Sequence, residues 1–361
     1  MAYRSWPERK VKPKKVEACV SGQSIPSSAW LPANLDACAL YREFIPHLHV
    51  PNSIFMFRPD RLHLDELKDR EVVVVQRQVT AENLKAMKML KAAGKKIVYD
   101  LDDNMWDLPT WNPAYKIFKE QREGFAVCAT EADVITVSTR GLLSACETHL
   151  GHLAKKMLVT PNSIDFDMFQ PSLLNKDDGR IVVGWGGSNT HSGDIVEAWE
   201  ILPHLVRQHD NLWLEFVGMA GPKELQGHKR VNMRPWVPVG QYANRLSGWS
   251  WDIALAPLTD IRFNRSKSCI KALEAAALKI PCLMSDVQPY HEFAKLGGPD
   301  LEWLLCITKT QWKEKLSRLI EDTEWRMHLG TVMYDTAKRW FDIEEIKKNW
   351  LYALDVAMGR C

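Results

Sequence analysis

The 361-residue chain has eight cysteines, but they form no Cys-x-x-Cys pair and keep no regular spacing. Cys19, Cys38, Cys128, Cys146, Cys269, Cys282, Cys306 and Cys361 fall mostly in apolar stretches. They are expected to be reduced core residues of a cytoplasmic protein, not a disulfide framework or a zinc site. Long apolar runs are missing too. No stretch is long enough to span a bilayer and no apolar segment follows the N-terminus, so no transmembrane segment is expected. Nor does one sign of charge prevail. The formal net charge of +2 sets up no global field that would demand nucleic acid or a membrane surface as partner. The local exception is "RKVKPKK" at 9–15. It reads as a solvated terminus or, alternatively, as a contact for an anionic partner. No fixed-period repeat and no low-complexity segment occurs, which excludes a solenoid.

What is present is the material of two ordinary domains, with 46% hydrophobic and 25% charged residues. Short β-branched runs alternate with helical stretches. "EVVVVQRQV" (71–79), "IVYDLDD" (97–103), "VITVST" (134–139) and "KMLVTPNSID" (156–165) read as strands. The helix "TAENLKAMKMLKAAGKK" has a threonine cap and a glycine near its end. The alternation means βαβ units and a parallel sheet covered on both faces. A polar stretch over 164–180 reads as a linker between a first domain, 1–163, and a second, 181–340. The second series is "IVVGWGGSNTHSGDI", "LWLEFVG", "DIALAPL", "PCLMSD" and "LEWLLCI", followed by helix to the end of the chain. Two such units predict an α/β architecture of two Rossmann-like domains. Ligands are then expected beyond the carboxyl ends of the strands, in one interdomain cleft.

Three stretches carry candidate chemistry. In "VVGWGGSNTHSGD", the strand-to-helix turn around Gly186, Gly187 and Ser188 allows a close backbone approach. Its amides suit negative charge, while a plain glycine-rich turn is the alternative. His191 and Asp194 are placed in the first turn of the following helix, with Asp194 as a possible cap. In "FNRSKSCIKALEAAALKIPCLMSD", Lys267 and Lys271 are expected to share one face at a helix start. Cations there oppose the helix dipole, which makes sense if an anion sits between them. Ser266 and Ser268 add hydroxyl donors, and Glu274 could accept from ribose hydroxyls or pair with Lys271. A solvated basic face is the competing reading. In "YDLDDNMWDLPTWNP", Asp100-Leu-Asp102 matches the Asp-x-Asp pattern that can hold a hard cation. Lying in the half opposite the phosphate candidates, it is not assigned a metal. Instead Asp102 or Asp103 is expected to face the cleft and bind an acceptor hydroxyl, with Trp106 or Trp111 nearby for stacking.

The set "VTPNSIDFDMF", "VVGWGGSNTH" and "IALAPLTDIRFNRSKSCIKALEAAALKIPCLMSD" resembles the retaining GT-B glycosyltransferases, in the family that includes sucrose and lipopolysaccharide mannosyl- and glucosyltransferases. "VYDLDDNMW" is similar to a branch common in phage and bacterial genomes. The resemblance spans most of 70–350. It implies a first domain for acceptor, a second for nucleotide sugar, and a helix at 341–361 crossing back to the first. It maps the family's second signature glutamate to Glu274 and its first to Ser266, where the acid is missing. The phosphate-binding cations would be Lys267 and Lys271. The implied reaction moves a sugar from a nucleoside-diphosphate sugar, a UDP-sugar foremost, to a hydroxyl with retention and without metal or resident cofactor. The acceptor stays open between a glycan, including a lipid-linked one, and a hydroxymethylated DNA base. A non-catalytic nucleotide-sugar-binding protein and a GT-B-fold sugar-nucleotide epimerase are the alternatives. The sequence leaves the oligomeric state open.

Overall fold

The computed structural model describes residues 24–57, 64–171 and 178–361. The basic run at 9–15, Cys19 and part of the expected linker, 172–177, lie outside the described residues. The first half builds a six-stranded sheet from β1 (Ser28–Leu31), β2 (Ser53–Phe55), β3 (Val72–Gln76), β4 (Lys96–Leu101), β5 (Val134–Val137) and β6 (Met157–Val159). Their spatial order is β2-β1-β3-β4-β5-β6. The second half builds another from β7 (Ile181–Gly186), β8 (Leu212–Val217), β9 (Val231–Arg234), β10 (Ile253–Ala256), β11 (Cys282–Ser285) and β12 (Leu305–Cys306), in the order β12-β11-β10-β7-β8-β9. Every pairing is parallel.

The central strands follow from their sequence. All five residues of β3 are buried, as an uninterrupted valine run covered on both faces requires. Its register sets Gln76 beside Asp100, so two polar side chains reach the carboxyl edge together. Helix Ala81–Ala92 starts at the expected threonine, whose hydroxyl and Asn83 form a reciprocal capping box. Three strands carry no readable signal. β1 and β2 are four and three residues long, and β9 is an edge strand with three of its four residues exposed.

The two halves are interlocked. Helix Ile343–Ala357 lies against the first sheet, burying Trp350 and Leu354 among Trp30, Val72, Val74, Val98 and Val134. The Trp30 and Trp350 rings meet edge-on, centroids 4.9 Å apart. Asp342 caps that helix, and a parallel bridge pairs it with Ile164, so the two crossings between halves run side by side. The stretch expected to be a loose linker is packed at its start: Ile164, Phe166 and Phe169 are buried in the second core. That core also takes Leu40, Tyr41 and Ile45 from the first half, while the first core takes Phe263 from the second. Six cysteines are free thiols, but Cys361 is disulfide-bonded, against the expectation of eight reduced residues. Cys361 is exposed at the end of the chain, where no core encloses it.

Trp350 has no exposure and anchors the returning helix. Trp350→Ala is expected to lower stability by about 3–5 kcal/mol in urea unfolding. A loss below about 1 kcal/mol would mean the helix is held by other contacts.

Candidate functional site

Loops leaving the carboxyl ends of the first sheet touch loops leaving those of the second. After β4, Asp103 lies 3.6 Å from the Lys267 ammonium. After β5, the Thr139 hydroxyl caps helix Arg140–Leu150 and donates to the Ser266 carbonyl at 2.7 Å. Gly141 has no room for a Cβ, which would run into the Arg265 carbonyl oxygen. After β6, Asn162 donates to the Ser268 hydroxyl at 2.9 Å. From the helical stretch after β1, Tyr41 donates to Glu274 Oε1 at 2.6 Å. The expected cleft is therefore lined from both sides, and the serines are engaged across it. Asn104 also donates to Ser266 Oγ at 3.3 Å.

The two lysines are brought together differently from the expectation. Helix Ile270–Ala277 begins after Lys267, which sits in the loop following the short helix Arg262–Arg265. Only Lys271 lies in a helical turn, so the pair does not share a helix face. Phe263, plugged into the first core, draws the loop across, and the Lys267 ammonium rests 4.5 Å from its ring centroid. Lys271 bonds Glu274 Oε2 at 3.1 Å and the Tyr242 hydroxyl at 3.3 Å. Tyr242 donates to the same carboxylate oxygen at 3.0 Å. Burial would lower the Lys271 pKa, but the Glu274 carboxylate and Tyr242 outweigh it and hold it above the ordinary lysine value. Burial and the same carboxylate push the Tyr41 and Tyr242 hydroxyls up. Glu274 thus binds Lys271 and also two tyrosines that the sequence did not single out. Tyr41 lies 233 residues away, and no spacing signals it.

The glycine turn is where the sequence places it, but its continuation differs. Gly186 ends β7, and Ser188 caps a 3-10 turn, Asn189–His191. The long helix starts only at Val196, so His191 and Asp194 precede it, and Asp194 does not cap it. Asp194 is buried and braces the loop after β10. Its Oδ1 accepts from the Thr259 amide at 3.1 Å and from Asn264 Nδ2 at 2.6 Å, while Oδ2 faces His191 Nδ1 at 3.0 Å. Burial lowers the His191 pKa, and Lys267 and Lys271 add to that against the pull of Asp194.

The acidic cluster of the first half divides. Asp100 is buried and fully used. It bonds Arg42 through both oxygens, one at 3.0 Å, and takes the Thr136 hydroxyl at 2.7 Å. Asp102 is also buried, 3.2 Å from Arg77 Nε. Asp103, not Asp102, faces Lys267. Cys38, Asp102 and Asp103 bring ligand atoms within 4.8 Å of one another. Burial, and then Asp102, raise the Cys38 thiol well above its usual pKa. Trp106 does not reach the cleft. It belongs to the first core, stacked on His149 at 5.0 Å, because the chain after β4 turns it inward. Trp111 does reach across. A Cβ on Gly193 would lie 2.6 Å from its indole.

Glu43 sits below this cluster in the π turn Leu40–Phe44. It is fully buried and neither carboxylate oxygen has a hydrogen-bond partner among the described residues. Burial and then Asp100 raise its pKa well above the ordinary glutamate value.

No family model matches the chain, and no curated protein matches it in sequence. Solved structures do. HepE of Anabaena in complex with UDP and glucose matches with a TM-score of 0.65 at 12% identity, over 91% of this chain and 99% of that one. A glycosyltransferase from Rickettsia africae matches at 0.63 and 10% identity, over 92% and 98%. TarM of S. aureus matches at 0.57 and 12% identity, over 81% of this chain, which spans only 57% of TarM. The chain has the GT-B fold. The sheet-edge contacts above are therefore contacts across the cleft of that fold.

Glu43 gives a pH test. A carboxyl whose folded pKa is raised costs stability once the unfolded chain can ionise. Wild type should lose up to about 1.4 kcal/mol per pH unit through this group from pH 4.5 upward, until the folded pKa is reached. Glu43→Gln should remove that slope, gaining on wild type in thermal melts between pH 5 and 8, whatever its stability at pH 4. Parallel curves for the two proteins would mean Glu43 is ionised in the fold.

Proposed function

We propose that this chain is a glycosyltransferase that moves a sugar from a nucleoside-diphosphate sugar, a UDP-sugar foremost, to a hydroxyl acceptor with retention and without a metal ion. The observation that carries the reading is the meeting of Lys267, Lys271, His191 and the Gly186–Gly187–Ser188 turn at the carboxyl edge of the second sheet. Asp103 stands opposite, on the first sheet. That arrangement suits a diphosphate held by lysines, turn amides and the start of helix Ile270–Ala277. HepE and TarM, which share this fold, were each solved in complex with UDP, which supports a UDP-sugar as the donor.

Transfer breaks the bond between the anomeric carbon and the diphosphate oxygen, and negative charge grows on the leaving group. Lys267 and Lys271 stabilise that charge, and each fixed donor contributes about 3 kcal/mol to lowering the barrier. Asp103 takes a hydrogen bond from the acceptor hydroxyl, and Trp111 flanks it at the mouth of the cleft. Ser268 accepts from Asn162 and keeps its own proton to donate to the ligand, Ser188 lends its turn amide, and Ser266 spends its proton on the Arg262 carbonyl and supports the loop instead. Glu274 reaches a ribose hydroxyl only by exchanging it for the Tyr41 or Tyr242 hydroxyl. Closure of the halves excludes water and limits donor hydrolysis. The acceptor is a glycan or a hydroxymethylated DNA base, and the reaction is cytoplasmic.

Thermal-shift screening with UDP-glucose, GDP-mannose and the free nucleotides tests the donor. A ligand at a hundredfold excess over its Kd adds about 2.7 kcal/mol to stability. Lys267→Ala is expected to cut turnover of the bound donor at least about a hundredfold. An unchanged rate would remove Lys267 from the site. Labelled donor offered to glycan, plain DNA and hydroxymethylated DNA identifies the acceptor. Isomerised donor without transfer would favour the epimerase reading.

A further inference from the structure

Charge counting at the cleft leaves a deficit. Lys267 faces Asp103, and Lys271 is bonded to Glu274. Asp194 adds a third carboxylate beside them. Three acids against two lysines give no net positive charge, yet a donor diphosphate brings two negative charges of its own. We infer that His191 is the site of proton uptake on donor binding: its imidazolium is the third cation of the diphosphate site and forms only when the diphosphate is present. This rests on the donor reading above and adds to it the protonation state of the bound site.

The ring is built for that role. Asp194 is fixed by Thr259 and Asn264 from the loop after β10, so its second oxygen holds Nδ1 of His191 in place. A carboxylate can only accept, so Nδ1 carries the proton and Nε2 is the nitrogen left over. Nε2 makes no hydrogen bond among the described residues, and the side chain keeps 26% of its surface exposed. The charged groups around the ring come from three elements. Asp194 lies in its own turn, Lys267 in the loop after β10, and Lys271 at the start of helix Ile270–Ala277. Behind the lysines stand Asp103 from the first sheet and Glu274 from the helix.

With the site empty, burial and the two lysines keep the ring neutral, and the lone pair on Nε2 would repel a phosphate oxygen. A bound diphosphate reverses the local field. The protonated ring then lies between Asp194 and a phosphate oxygen and donates a charge-assisted hydrogen bond to each. The proton comes from solvent, and no bond of the donor is broken by its arrival.

The experiment is calorimetric titration of the full chain with UDP-glucose, and separately GDP-mannose, from pH 6 to 8 in buffers of different ionisation enthalpy. The diphosphate of a nucleotide sugar has no titrating oxygen in that range, so any pH dependence belongs to the protein. Wild type should take up about one proton per donor, and its affinity should rise by up to about tenfold for each unit the pH falls. His191→Gln should bind with a flat pH profile and no proton uptake, while its ligand-free melting temperature stays with wild type. Donor binding without proton uptake, or uptake that survives in His191→Gln, overturns the inference and leaves the donor reading standing. No binding of either nucleotide sugar to wild type at any pH overturns both.

Discussion

The Glu274 carboxylate is the point on which the closed arrangement depends. A buried charge without partners is very costly, and here every partner comes from a different place. Lys271 lies one turn before it, Tyr242 comes from the helix after β9, and Tyr41 comes from the other half of the molecule. Removing any of them leaves a buried acid under-satisfied, so the carboxylate fixes both the Lys271 ammonium and the approach of the two halves. The apolar exchange around it works in the same direction. Tyr41 is part of the second core and Phe263 part of the first, so separating the halves would expose aromatic surface on both sides.

A matching device organises the first half. Arg42 is fully buried, bonds Asp100 twice, reaches the Thr160 carbonyl and Asn162 Oδ1, and lies 4.9 Å from the Trp350 ring centroid. One side chain thereby ties β4, β6 and the returning C-terminal helix together. Because Asn162 also holds Ser268, this network runs on into the loop that carries the lysines. The polar residues at the sheet edges are thus a connected scaffold, and only some of them remain available to a ligand.

That division explains what the sequence could and could not reveal. The two parallel sheets were legible because β3, β7 and β10 are apolar runs bounded by turns, and Thr80 announces the helix after β3. The stretch containing Lys267, Lys271 and Glu274 was legible as a unit because it is local in the chain. Asp100 and Trp106 stood out for their chemistry, but their use is tertiary. Arg42 and His149 lie far away in sequence and claim them for structure. Tyr41, Arg42 and Asn162 could not be singled out, since each matters only through a partner more than fifty residues distant. The helix expected at Ser266 began at Ile270 because contacts with Thr139, Asn104 and Asn162 hold residues 266–268 in a loop instead.

Those contacts bear on the serine that stands where a related signature has an acid. Ser266 is 97% buried, with its hydroxyl among Asn104, the Gly141 carbonyl and the Arg262 carbonyl, and its own carbonyl taken by Thr139. Gly141 cannot even carry a methyl group without striking Arg265. A glutamate side chain at 266 would have to enter this closed seam or force it open. It would also add a fourth carboxylate to a site where Asp103, Glu274 and Asp194 already outnumber Lys267 and Lys271. Steric and electrostatic arguments therefore agree: the seam between the halves accommodates a small neutral residue at 266 and has no place for a carboxylate.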